Sequence, residues 1–178
     1  MSEDVIGISR RGLLVGLTAL MGSSMASAAL KGALDFSTSK PAKSLSPDQL
    51  KMVELMADII IPDTDTPGAA KANVHGFIDH MLTKFFPQET GLQFIEGLEH
   101  FDQKSGGFLS LTPSQQYAAV EAEDETLGSN RFYGMFKGLV VAGYYTSEIG
   151  GAEELTYDPV PGPYQELPLS DVERQWST

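Results

Sequence analysis

Residues 131–164 constrain the fold most, because a helical pattern and a proline-rich pattern meet there. Apolar side chains recur at three- and four-residue steps from 131 to 145, which predicts a helix buried along one side. Gly134, Gly138 and Gly143 interrupt this helix, and glycines there suggest that a second backbone packs closely. Prolines at 159, 161, 163 and 168 hold the preceding residues extended, so residues 157–178 are predicted to form an extended tail.

Two start patterns with the same proline and glutamine positions predict helices earlier in the chain. Ser46-Pro47-Asp48-Gln49 and Thr112-Pro113-Ser114-Gln115 each combine an N-cap, a proline at the first helical position and a glutamine for a capping box. With Asn73 as a further N-cap, the periodicity predicts helices near 46–61, 74–85, 89–103, 113–127 and 131–145, with Leu92 and Tyr117 facing inward. The fold class is therefore an all-α, single helical domain of about five helices over residues 45–156.

The composition excludes several kinds of cross-link, metal site and cofactor attachment. The chain has no cysteine, which excludes disulfides, thiolate metal sites, cysteine-ligated iron–sulfur clusters and thioether haem attachment. Its net charge is −12, and no basic block occurs after the first residues. Nucleic-acid binding is therefore not expected.

The first residues have the plan of a twin-arginine export signal. Arg10 and Arg11 precede a weakly apolar, uncharged run that ends in Ala26-Ser27-Ala28. We expect cleavage after Ala28, which leaves residues 29–44 as a linker, and a periplasmic mature protein; an uncleaved anchor is the alternative. The twin-arginine route carries folded cargo, so such a signal permits a small chain to escort a partner.

The residues that could have a catalytic or metal-binding role are not predicted to lie together in one site. The D-x-D loop at 63–69 lacks the remaining ligands of a calcium loop. His75 and Asp79 share a helix face, but His80 points elsewhere, and we interpret all three as solvated polar positions. His100 has no evident partner. The acidic run Glu121, Glu123, Asp124 and Glu125 is likewise interpreted as a solvated face.

Three segments behind the export signal together resemble one family. They are Ile61-Pro62 with DTPGA at 65–69, GYYTSEIG at 143–150 and YDPVPGPY at 157–164. In this order they resemble the gluconate 2-dehydrogenase subunit 3 family, the small subunit of bacterial flavin-dependent sugar and sugar-acid dehydrogenases. The resemblance covers about residues 45–168. It implies a non-catalytic accessory subunit, with FAD on a large GMC-type dehydrogenase partner and usually haem c on a third, cytochrome subunit.

The resemblance also implies that the chain is periplasmic and belongs to a complex that acts on CH–OH groups. The chain would associate with a membrane only through that complex. Two other classes stay open: a free-standing periplasmic binding module, and a small hydrolase that uses a serine with His75, His80 or His100. No G-x-S-x-G elbow supports the hydrolase.

Large amphipathic rings and a stiffened backbone predict a partner interface near the tail. The predicted interface residues are Tyr144, Tyr145, Tyr157, Pro159, Pro161, Pro163 and Tyr164. The alternative is that the tail packs back on its own helices and closes the core.

Overall fold

The computed structural model describes residues 45–125, 130–157 and 176–177, and these residues form a helical domain. Within these ranges the five α-helices are α1 (Pro47–Ile60), α2 (Val74–Lys84), α3 (Gln88–Ser105), α4 (Pro113–Asp124) and α5 (Arg131–Tyr145). A 3-10 turn spans Phe108–Ser110 and a π-helical turn spans Gly150–Glu154. The all-α prediction is confirmed. The export signal, the linker at 29–44 and most of the tail lie outside the described residues.

The start patterns form as predicted at two helices. Ser46 Oγ accepts from the Gln49 N–H at 3.3 Å, and the Ser46 N–H donates back to Gln49 Oε1 at 3.0 Å. The Thr112 N–H donates to Gln115 Oε1 at 3.0 Å in the same way. These bonds satisfy amides that the first turn of a helix leaves unpaired.

The prediction for Asn73 is wrong in its mechanism. Asn73 precedes α2, but its side chain makes no capping bond and its backbone is left-handed, with φ of 54° and ψ of 35°. The chain arrives at α2 from a turn in which the Val74 N–H donates to the carbonyl of Ala69 at 3.1 Å. The Asn73 side chain therefore does not cap α2, and a loop carbonyl accepts from the first amide of the helix.

The core forms around α2 and α5, which contact each other, and α2 also contacts α1 and α3. Gly143 of α5 lies against the ring of Phe77 of α2, so closely that a Cβ there would be 2.6 Å from Phe77 Cδ1. The close neighbour of this glycine is therefore an aromatic ring and not a second backbone. The fully buried apolar residues at the centre include Met56, Ile78, Met81, Leu98, Phe136 and Leu139.

Two predicted core residues lie at the surface. Leu92 is 60% exposed, because the buried stripe of α3 runs through Gly91, Phe94 and Leu98 and a residue two positions from Phe94 faces the other side. Tyr117 is 55% exposed. The buried residues of α4 are Val120 and Glu123, and Tyr117 instead lines a surface groove.

Two short strands follow the helices within the described residues. Strand β1 (Thr156–Tyr157) pairs in parallel with strand β2 (Trp176–Ser177), with Thr156 opposite Trp176 and Tyr157 opposite Ser177. No helix within the described ranges has the length and apolar character that a membrane crossing requires.

Candidate functional site: the junction of the motif segments

The loop after α1 is closed by its own side chains and backbone. The Gly68 N–H donates to Asp63 Oδ1 at 2.6 Å, and the Ala69 N–H donates to the Ile61 carbonyl at 2.9 Å. A Cβ at Gly68 would lie 2.6 Å from the Asp63 nitrogen, so the turn requires glycine. Lys71 Nζ lies 2.5 Å from Asp63 Oδ2. Both Asp63 oxygens therefore have protein partners, and the bonds from Lys71 and from Gly68 lower its pKa.

The C-terminal end of α5 is tied to this loop. The Tyr144 hydroxyl donates to the carbonyl of Pro67 at 2.9 Å, and the ring is 1% exposed. Tyr145 is half-buried and meets Tyr144 edge to face, with ring centroids 5.2 Å apart. Burial raises the pKa of both hydroxyls, and the carboxylate of Glu154 adds to the rise.

The turn after α5 is hydrogen-bonded both to the end of α5 and to the loop after α1. The Ser147 hydroxyl donates to the Tyr144 carbonyl at 2.6 Å and accepts from the Gly150 N–H at 3.1 Å. Any Cβ at Gly150 would collide with the Tyr144 carbonyl oxygen. The buried Thr66 hydroxyl donates to the carboxylate of Glu154, which links this turn to the loop after α1.

Two of the three segments that carry the sequence resemblance therefore meet in space, whereas of the third, 157–164, only Tyr157 is described. One surface is formed by the loop at 61–69, the segment at 143–150 and the π-helical turn, and we call it the motif junction. Leu155 connects the π-helical turn to β1. Its exposed rim is mainly acidic, with Asp63, Asp65, Glu148 and Glu153 at the surface and Lys71 paired with Asp63.

A family model covers most of this architecture. The model described as gluconate 2-dehydrogenase subunit 3 matches residues 47–162, more than half of the chain. The chain belongs to this family. The match starts with α1 and runs past the motif junction, so the contacts described above lie within the part of the chain that defines the subunit 3 family. No match to a curated protein or to a solved structure was found.

The predicted interface residues of this family member fall into three groups. Tyr144 is buried within the described residues, and Tyr145 keeps part of its side chain at the surface. Their place in a partner interface stays a prediction. Tyr157 lies in β1, where only its backbone is described. Outside the described residues lie Pro159, Pro161, Pro163 and Tyr164, and so do the predicted export residues Arg10, Arg11 and Ala28.

The prediction of solvated positions on α2 is wrong for two residues. Asp79 is 4% exposed and His80 is 0% exposed. Since α2 contacts three other helices, positions beside its apolar stripe are covered as well. Asp79 Oδ1 accepts from the Leu45 N–H at 2.7 Å, and the His80 ring lies 5.6 Å from that of Phe85. No group of three or more histidines and acids in the described ranges could hold a metal ion.

One member of the acidic run is also buried. Glu123 is 3% exposed, and its carboxylate contacts Lys104 Nζ at 2.6 Å and accepts from the Asn130 side chain. It joins α4 to α3 and to the start of α5. Glu121, Asp124 and Glu125 are exposed as predicted, with Asp124 2.5 Å from Lys137 Nζ.

Thr66, Gly68, Ser147 and Gly150 lie in segments that carry the resemblance, but the sequence does not show which residues they contact. The spacing from Asp63 to Gly68 is a local turn signal that an aspartate and a glycine can give. Thr66 and Glu154 are 88 positions apart, and no periodic pattern connects them. Only the fold reveals that pair.

Proposed function

We propose that this chain is the non-catalytic small subunit of a periplasmic flavin-dependent dehydrogenase that oxidises sugars or sugar acids. The observation that carries the proposal is the subunit 3 family match, which spans the helices and the motif junction. In this proposal the large partner binds FAD and performs the oxidation, and a cytochrome subunit accepts the electrons. The small subunit stabilises the large one and brings it through the membrane.

The motif junction is the surface we propose for the large subunit. Its loops are held by buried or partly buried hydrogen bonds from Thr66 and Tyr144, so its shape is fixed before a partner arrives. A surface that is already ordered loses less entropy on docking. Tyr145 contributes a half-exposed ring, and the tail residues Tyr157, Pro159, Pro161, Pro163 and Tyr164 would extend the contact.

The export role depends on the first residues. Arg10 and Arg11 are the residues we propose that the translocase recognises, with Ala28 at the cleavage site. A partner without its own signal would then leave the cytoplasm only when bound to this chain.

Affinity purification of the tagged chain from its own host tests the assignment. We expect a much larger protein to co-purify that carries FAD absorbance and reduces a dye when given a sugar or sugar acid. The same chain expressed alone is the control and is expected to show neither property. A chain that elutes alone in gel filtration of the native extract would instead support a free-standing binding module.

Replacement of both arginines tests the escort role. In the Arg10→Lys/Arg11→Lys variant we expect the dehydrogenase activity to remain in the cytoplasmic fraction. Activity that still reaches the periplasm would reject the escort role while leaving the subunit assignment intact.

A further inference from the structure

A groove on the surface of the domain lies where α4 and α5 both contact α1. Its volume is about 240 Å³, whereas pockets that enclose a small-molecule ligand or cofactor have roughly 300–1,000 Å³. The groove therefore suits a long side chain of another protein better than a free cofactor. It borders the motif junction, because Ile60 lines it and Ile61, the next residue, begins the loop at 61–69.

Part of the groove lining is apolar. Ile59 and Ile60 of α1 are half-buried, and Val120 of α4 is 2% exposed. Tyr117 of α4 also lines the groove and is 55% exposed. Long basic side chains bury their aliphatic stems along apolar surface of this kind and keep the charged group in water.

The rest of the lining is charged. Tyr117, Glu121 and Asp124 occupy positions i, i+4 and i+7 of α4, so they follow one another along one face of the helix. Asp124 Oδ1 lies 2.5 Å from Lys137 Nζ, which balances its charge. Glu121 is exposed and has no ion pair within the residues that the structure describes. The groove therefore holds one carboxylate whose charge is not balanced by that part of the chain.

An arginine side chain matches this combination of groups. Its stem can lie on the two isoleucines, its planar guanidinium can stack on Tyr117, and its parallel N–H groups can bind both oxygens of Glu121. A lysine carries a point charge and cannot make the bidentate contact. The net charge of −12 also attracts a positively charged segment to this chain.

We propose that this groove binds an arginine side chain that the large subunit presents beside its contact with the motif junction. The inference rests on the proposed function, because it names the chemistry of one residue of that partner. It is supported by the unbalanced carboxylate of Glu121 and by the exposed ring of Tyr117 one helical turn away. The step from Ile60 to Ile61 makes the groove and the motif junction continuous.

Binding of full-chain variants to the purified large subunit tests the arginine site. Glu121→Gln removes the unbalanced charge. Glu125→Gln is the matched control, because Glu125 is also an exposed acid of the same run but does not line the groove. We expect Glu121→Gln to weaken binding about 10- to 100-fold and Glu125→Gln to stay within about twofold of the unchanged chain. Circular dichroism verifies that each variant keeps its helices.

Two further readouts are specific to the arginine contact. Tyr117→Leu keeps an apolar side chain but removes the ring, and it should weaken binding about 2- to 5-fold. Affinity should fall less steeply with added salt for Glu121→Gln than for the unchanged chain. An affinity of Glu121→Gln equal to that of the unchanged chain would overturn the arginine site. Equal weakening by Glu121→Gln and Glu125→Gln would also overturn it, because it would show a general effect of charge.

A second measurement needs no large subunit. The full chain is titrated with a capped Gly-Arg-Gly peptide, and with the same peptide in which neutral citrulline replaces arginine, while NMR follows the amide signals of residues 117–124. We expect the arginine peptide to shift these signals, and to shift them much less in Glu121→Gln. The citrulline peptide should shift them little. Equal shifts with the two peptides would overturn the site.

The two measurements separate the arginine site from the proposed function. If the full chain does not bind the large subunit, the proposed function fails, and the assignment of the arginine to that subunit fails with it. The peptide titration then still decides whether the groove binds arginine. If the full chain binds and Glu121→Gln binds equally well, only the arginine site fails.

Discussion

The contact between Gly143 and Phe77 allows a quantitative test of the core. In Gly143→Ala the new methyl carbon would lie 2.6, 3.2 and 3.3 Å from three carbons of the Phe77 ring. Carbon atoms that are not bonded prefer separations of about 3.5–4.0 Å. The ring or α5 must therefore move by several tenths of an ångström in a fully packed interior.

Two opposing free energies decide the result. Alanine in place of glycine inside a helix stabilises by up to about 1 kcal/mol, and overpacking a core costs about 1–3 kcal/mol. Gly91→Ala is the matched control, because a Cβ there would meet only the Leu82 carbonyl at an ordinary 3.6 Å. The helix term largely cancels between the two variants. Gly143→Ala is thus expected to be about 1–3 kcal/mol less stable than Gly91→Ala.

Urea denaturation followed by circular dichroism measures this difference, and thermal melts check it at about 2–4 °C per kcal/mol. The double variant Gly143→Ala/Phe77→Leu makes room for the methyl group and should lose less stability than the two single changes added together. Equal stability of Gly143→Ala and Gly91→Ala, or additivity in the double variant, would refute the packing argument.

Two further outcomes follow from the hydrogen bonds and charges. Tyr144→Phe removes the bond to the Pro67 carbonyl and should lower the free energy of unfolding by about 0.5–1.5 kcal/mol. Tyr145→Phe is the control, because the Tyr145 hydroxyl has no such bond within the described residues. It should change the free energy of unfolding little in the same urea experiment. Burial lowers the pKa of His75, so the unfolded chain takes up a proton more readily than the folded one. Stability is therefore expected to fall as the pH drops from 7 through about 6, and His75→Gln should flatten that slope; an unchanged slope would contradict it.

The helices could be predicted because their signals are local. Helices α1 and α4 begin at the Ser46 and Thr112 patterns. Helix α5 spans Arg131–Tyr145, as the spacing of its apolar residues predicts. Asn73 shows the limit of such signals, because an N-cap residue type does not reveal whether its side chain makes the capping bond, and here a loop carbonyl accepts from the first amide of α2.

Burial could not be predicted in the same way, since it depends on how many neighbours a helix has. Asp79 and His80 flank the apolar stripe of α2, and on a helix at the edge of the domain they would be solvated. Instead α2 is surrounded by three helices. The carboxylate of Asp79 finds its partner in the Leu45 N–H, 34 positions earlier in the chain.

The motif junction explains why glycine and small polar residues occur in the segments that carry the family resemblance. Gly68 and Gly150 stand where a Cβ would collide with backbone, and Thr66 and Ser147 supply short side chains that bond across the loops. These residues are needed for the shape of the loops.

Consecutive residues of α5 connect that shape to the core. Gly143 receives the Phe77 ring in the interior, and Tyr144, the next residue, holds the Pro67 carbonyl in the loop after α1. Since interiors are close-packed, a displacement at Gly143 passes to Tyr144 and then to the loop. The tight packing of the core therefore sets the geometry of the surface proposed for the partner.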